Sequence, residues 1–232
     1  MESVPPRLTR TLVSFFTPVA LCSLSMFLQA QPAIREDTAT PHAAPSFSTV
    51  SIGGRVWMAQ NLDVVTYRNG DSIPRVPDFR LWQGLQTGAW CEYGNDSFYT
   101  RSFGRLYNWM AVADPRGLCP TGWHVPDMNE WLELADSLGG LDLAGGALKN
   151  TVNWSNPNAG ATNSSGFGAN PGGFRYENGY SYLGEMGYWW CADEEDSAVA
   201  RNVVITHRER GLYPNSSDKT MGLSVRCVKD GR

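Results

Sequence analysis

The chain has 232 residues, enough for one domain of about 180 residues once an atypical N-terminus is set aside. A formal net charge of −4 with only 18% charged residues excludes the basic footprint of a nucleic-acid-binding protein. Nine Trp, nine Tyr and nine Phe beside 24 Gly and 14 Pro exclude disorder for most of the chain and point to a loop-rich fold with an aromatic core and short strands.

Arg7 and Arg10 precede an uncharged stretch from Thr11 to Leu28, and Ala30 is a small residue just before Gln31. That is the pattern of a secretory signal peptide over residues 1–30. A membrane anchor is the competing reading, weakened by Pro18 and by the Ser and Thr within the stretch. Cys22 follows Leu21, where a lipoprotein signal needs a small residue, so lipidation is not expected. Residues 31–48, rich in Ala, Pro and Thr, read as an exposed spacer, and the folded domain is expected over 49–232 in a secreted or surface-exposed protein.

Ile52 to Leu62, with a Gly53-Gly54 turn before Arg55, Val56, Trp57 and Met58, predicts a first strand or hairpin. Gly104 to Ala113 predicts a short helix that stops before Asp114-Pro115, because proline disfavours helical geometry in the residue preceding it. Asp127 with Glu130 three residues on forms a capping box for a second helix that Gly139-Gly140 ends. Met128, Trp131, Leu132, Ala135 and Leu138 give that helix one apolar face. Residues 153–173, dense in Asn, Gly and Ser, predict a long ordered loop, the kind of segment that often carries function. Asn178-Gly179 between aromatic segments predicts a hairpin over 174–183. Strands are then expected over 187–192, 198–206 and 222–228, the last with Leu223, Val225 and Cys227 facing inward and Ser224 and Arg226 outward.

Beyond the leader the cysteines are Cys91, Cys119, Cys191 and Cys227, an even set that favours disulfides in an exported chain without selecting a pairing. Free, buried thiols at Cys91 and Cys191, each beside a Trp, remain an alternative. The absence of a CxxC knuckle and the presence of only three His argue against a structural zinc site. His42, His124 and His207 offer no base and nucleophile combination, and His124 reads as a structural hydrogen-bonding residue. No HExxH, GxSxG, phosphate-cradling or dinucleotide motif is present.

The segments VWMAQNL at 56–62, GRLYNWMAV at 104–112, LCPTGWHVPDMNEW at 118–131, GYWW at 187–190 and LSVRCV at 223–228 together resemble the Fibrobacter succinogenes major paralogous domain, a family of exported bacterial proteins. The resemblance covers roughly residues 50 to 230. It implies an α+β, C-type lectin-like fold related to formylglycine-generating enzymes: two short helices, a twisted antiparallel sheet and long ordered loops. It further implies that Trp123, Trp131, Trp189 and Trp190 are core or rim aromatics, that Cys119 bonds Cys227, and that Cys91 and Cys191 form the remaining pair. The EPN, QPD and WND tripeptides of calcium-dependent lectins are missing, Asn156-Pro157-Asn158 being only a weak echo, and no enzymatic cysteine arrangement transfers.

The residues favour a non-catalytic binding module for a polysaccharide or a protein partner, with no cofactor. Tyr176, Tyr180, Tyr182 and Tyr188 are the candidate ligand-binding residues, since an aromatic face covers the apolar side of a sugar while Asn and Asp meet its hydroxyls. Alternating tyrosines that merely complete a hairpin are the bland reading of the same pattern. Asp193, Glu194, Glu195 and Asp196 supply hard oxygen ligands that suit calcium, with Asn95 and Asp96 a second, weaker pair, although most acidic runs are solvated turns. Adjacent carboxylates in one turn do not establish the fixed separation that glycoside hydrolysis requires. A degenerate enzyme of the same fold and a structural cell-envelope protein are the alternative functions.

Overall fold

The structure, a computed structural model, describes residues 47–177 and 179–231. The expected signal peptide, Cys22 and most of the spacer lie outside the described residues. The chain runs through β1 (Thr49–Ile52), β2 (Arg55–Met58), α1 (Phe79–Gln83), β3 (Trp90–Cys91), α2 (Thr100–Phe103), β4 (Leu106–Tyr107), α3 (Trp109–Val112), β5 (Trp123–His124), α4 (Met128–Ser137) and α5 (Leu141–Leu148). It then enters β6 (Gly172–Tyr176), β7 (Gly179–Leu183), β8 (Met186–Glu194), β9 (Val199–Thr206), β10 (Tyr213–Asp218) and β11 (Val228–Lys229). The fold is α+β, with a sheet ordered β1-β2-β11-β5, a sheet ordered β10-β9-β8-β6-β7 and a β3-β4 ribbon. Among the described residues every pairing between these strands is antiparallel except a parallel contact between Gly173 of β6 and Gly187 of β8. Among the described residues no helix is long and apolar enough to cross a membrane.

The first hairpin forms as predicted, with Ile52 opposite Arg55 across the Gly53-Gly54 turn. The capping box of α4 is complete: Asp127 Oδ1 accepts from the Glu130 amide at 2.8 Å and Glu130 Oε2 accepts from the Asp127 amide at 3.0 Å. Met128, Trp131, Leu134 and Ala135 turn from α4 into one core cluster against Trp57, Phe167, Trp189 and Ile205, with Leu132 and Leu138 at its margin. A second cluster gathers Met58, Tyr107, Trp190, Val204, Leu223, Val225 and Cys227, with Trp123 packed against it.

Several expectations need correction. The helix expected over 104–113 shrinks to the single turn of α3, because Leu106 and Tyr107 pair with Cys91 and Trp90 as strands. Asn108 then caps that turn, its Oδ1 accepting from the Ala111 amide at 3.1 Å. Five α-helical segments occur among the described residues where two were expected. Helix α5 carries Gly145 and Gly146, poor helix formers that here serve close approach, a Cβ at Gly146 falling 2.6 Å from the Gly160 carbonyl. Strand β10 was hidden by its polar, proline-bearing sequence YPNSSD, which is tolerated because it forms the sheet edge.

The segment 222–228 does not alternate between core and water. Gly222, Leu223 and Ser224 make isolated bridges to Arg175, Tyr107 and Trp189, and only Val228–Lys229 forms a strand. Because structure covers both faces, Ser224 and Arg226 are as buried as Leu223, Val225 and Cys227.

Cys119 and Cys227 form the implied disulfide, with a Cα–Cα distance of 6.1 Å. Cys91 and Cys191 do not pair; both are free and buried. Cys91 packs with Trp82, Ala89 and Leu106, whereas Cys191 sits in the cluster of Trp131 and Trp189, so the two thiols belong to different packing units. Structural disulfides form and persist chiefly in oxidising compartments, and the Cys119–Cys227 bond points to such an environment outside the reducing cytoplasm.

Candidate binding cleft

The long Asn/Gly-rich loop closes one side of a cleft of about 480 Å³ lined by Asn61, Asn150, Asn153, Asn163 and Asn170, with Gln60, Asp63, Thr100, Arg101 and Ser102 among the remaining walls. Backbone geometry explains two of these asparagines: Asn153 and Asn163 adopt positive φ of 72° and 49°, a conformation that their short polar side chains tolerate. Asn163 Oδ1 accepts from the Gly168 amide at 2.8 Å, which folds the loop back on itself. Asn170 donates through Nδ2 to the Ser102 carbonyl at 2.8 Å and tethers the loop to α2 across the cleft.

Two buried cations fix this loop from beneath. Lys149 Nζ donates to the carbonyls of Ala159, Thr206 and Glu209 at 2.8, 3.0 and 2.8 Å, and burial pulls its pKa down to about 8. Arg226 donates through Nη1 to the Met58 and Phe167 carbonyls at 2.9 and 2.6 Å, so its guanidinium supports the cleft floor at Phe167-Gly168. Burial likewise lowers the Arg226 pKa, to about 9.

Gln60, Asp63 and Arg101 are exposed, and among the described residues their side chains make no hydrogen bond within the chain. The cleft therefore offers uncommitted donors and acceptors on a preorganised frame, with one carboxylate balancing one guanidinium. Its lining contains amides and hydroxyls but no imidazole or thiol, an arrangement suited to hydrogen-bonding recognition.

The four candidate tyrosines do not share one surface. Tyr188 is buried and its hydroxyl meets Met186 Sδ, making it a core residue. Tyr176 is half-buried and donates to Asp218 Oδ2 at 2.7 Å, a bond that raises its pKa to about 12. Tyr180 is half-buried and donates to Asn95 Oδ1 at 2.7 Å. Tyr182 alone of the four is exposed, and its ring lies 5.5 Å from that of Phe174.

The acidic run does not converge on a cation site. Asp193 Oδ2 accepts from the Met128 amide at 2.6 Å, and Glu194 Oε2 accepts from Lys219 Nζ at 2.7 Å. Glu195 accepts from the Ser216 hydroxyl, while Asp196 Oδ1 accepts from the Ala198 and Val199 amides at 2.7 and 2.8 Å. Asn95 and Asp96 are likewise engaged, with Pro77 and Tyr180 and with the Phe98 amide respectively. Among the described residues no group of three or more His, Cys, Asp or Glu is placed to hold a metal ion. His124 sits between two carboxylates, Nδ1 at 2.7 Å from Asp230 Oδ1 and Nε2 at 3.0 Å from Glu130, and ties β5 to α4 and to the chain following β11.

Sequence reasoning missed Asn61, Gln60, Asp63 and Arg101. The available signal was the polar pair Gln60-Asn61 set between the apolar positions Ala59 and Leu62 of VWMAQNL. No curated protein and no solved structure matches the chain. The model of the Fibrobacter succinogenes major domain matches residues 50–229, and the chain belongs to that family.

Proposed function

We propose that this domain is an exported, non-catalytic binding module that takes a neutral polysaccharide in the Asn-lined cleft. One observation carries the reading: the uncommitted side chains of Gln60, Asp63 and Arg101 stand on a cleft braced by five asparagines, and its single carboxylate and guanidinium balance. The Gln60 amide presents a donor and an acceptor side by side, which matches the paired hydroxyls of a sugar ring, and the balanced charge favours an uncharged ligand. Tethers from Lys149, Asn163 and Asn170 hold the walls before a ligand arrives, lowering the ordering cost of binding. A C-type lectin-like architecture and secretion through a cleaved leader complete the proposal; the antiparallel sheets, the long loop and the disulfide support them.

The test is binding of the oxidised protein to a broad panel of neutral and charged glycans, repeated with Gln60→Ala, Asp63→Ala and Arg101→Ala. These side chains are exposed and make no hydrogen bond within the described residues, and we expect each substitution to leave the fold intact and to weaken binding of a neutral glycan about 3- to 30-fold. Retained affinity in all three variants, or binding confined to protein ligands, would remove the cleft from the function.

A further inference from the structure

We infer that the ligand is an extended chain that leaves the cleft over an aromatic strip headed by Phe98, so that the domain reads an internal stretch of polymer, not a terminal sugar. This inference rests on the neutral-glycan reading of the cleft. Thr100, Arg101 and Ser102 form one wall of that cleft, and Phe98 and Tyr99 are the residues immediately before them. From there the rings continue without a gap. Phe98 to Tyr99 is 5.5 Å between centroids, Tyr99 to Tyr93 is 5.7 Å and Tyr93 to Tyr180 is 5.1 Å.

Phe98 is 79% exposed, more than any other large apolar side chain among the described residues, so packing within the domain does not account for it. Its backbone is nevertheless held in place, because Asp96 Oδ1 accepts from the Phe98 amide at 2.9 Å. The neighbouring turn is fixed as well, Asn95 donating to the Pro77 carbonyl and accepting from the Tyr180 hydroxyl. An exposed ring on a preorganised turn beside a polar cleft is a stacking platform for the apolar face of the next sugar along the chain. Tyr180 thereby enters the same surface, at the far end of the strip from the cleft, while Tyr188 stays out of it. The rings meet at interplanar angles of 83°, 74° and 49°, so Phe98 supplies the exposed stacking face while Tyr99, Tyr93 and Tyr180 buttress it.

The experiment is titration calorimetry of the oxidised full chain with ladders of β-1,4-linked gluco-, manno- and xylo-oligosaccharides, from monosaccharide to hexasaccharide. The expected result is an affinity that climbs with chain length in at least one ladder. Phe98→Ala should remove about ten-fold of the hexasaccharide affinity and leave the shortest binding sugar unchanged, and Phe98→Trp should restore the climb. Affinity that is flat with length, or a climb that Phe98→Ala leaves intact while Arg101→Ala still weakens binding, overturns the extended-chain inference and leaves the cleft reading standing. Silence in every ladder, with the same silence on neutral glycans of the panel, overturns both.

Discussion

Asn61 and Arg226, 165 residues apart in sequence, meet in the interior through one carbonyl oxygen: Asn61 Oδ1 accepts from Arg226 Nη2 at 2.8 Å and from Arg226 Nε at 3.2 Å. The same oxygen accepts from Trp189 Nε1 at 2.8 Å, while Asn61 Nδ2 donates to the Phe103 carbonyl at 2.8 Å. One amide thus joins the family segments VWMAQNL, GYWW and SVRC and fixes the C-terminal end of the cleft wall at α2. All the oxygens that Arg226 reaches are uncharged, so the buried cation depends on their geometry and on its stack over Phe167, 4.1 Å from the ring centroid.

Replacing Asn61 by Leu keeps approximate size and leaves the guanidinium and the Trp189 indole short of an acceptor. A loss of about 3 to 5 kcal/mol in urea unfolding is expected, the range for breaking a buried charged network. Asn61→Asp retains an acceptor and adds a counter-charge, so its loss should be smaller. Equal losses in the two variants would show that the Asn61 oxygen is not what stabilises Arg226.

The disulfide gives a second prediction. Cys119 and Cys227 are 108 residues apart, and closing a loop of that size in the unfolded chain contributes roughly 5 kcal/mol. Cys119→Ser should lower stability by about that amount in oxidised protein, with no further loss on adding Cys227→Ser. Thiol titration of the native oxidised domain should leave Cys91 and Cys191 unreactive until denaturant is added, since burial raises both thiol pKa values and blocks access. Peptide mapping that finds Cys91 joined to Cys191 would contradict this arrangement.

What the sequence disclosed and what it withheld follow from where each signal lives. The capping box of α4 and the Gly53-Gly54 hairpin are local, each decided by residues within a few positions, and both form. The alternation over 222–228 misleads because period-two patterning reports one covered face, and nothing within those seven residues announces Trp189 and Asn61 on the other side. The tyrosines of β6, β7 and β8 look equivalent in sequence, yet Tyr188 falls in the core and Tyr182 at the surface because sheet register and the chain crossing each strand decide exposure. The cleft is assembled from three segments distant in sequence, and only its Asn-rich loop has a compositional signal. Gly104 makes the point at atomic scale: its φ of 72° and the 2.8 Å that a Cβ would leave to the Asn61 side chain exist only once the two segments meet.

Lys149 provides a test with a defined sign. Lys149→Met removes the donor to three carbonyls and should cost about 3 kcal/mol at neutral pH while loosening the 153–173 loop, visible as faster amide exchange there. Burial lowers the ammonium pKa from 10.5 to about 8, so the folded chain releases this proton at lower pH than the unfolded chain. Below about 8 both states hold it; between 8 and 10.5 the unfolded state binds more protons, and the contribution of Lys149 makes stability rise with pH. The stability gap between the native protein and Lys149→Met should therefore widen across that window. A gap that narrows would mean that the carbonyl cage holds the proton more strongly than burial expels it.

The acidic run distinguishes capping from metal binding. Asp193 accepts from the amide at the first turn of α4, where a negative charge also complements the helix dipole. Asp193→Ala should thus lower stability by about 1 kcal/mol, and Asp193→Asn, which keeps an acceptor, by less. Because the four carboxylates are committed to separate partners, millimolar calcium and a subsequent chelator should each leave the melting temperature unchanged. A calcium-dependent rise that disappears in Asp193→Ala would instead mean that the run rearranges around a cation, with the Met128 amide giving up its cap when calcium binds.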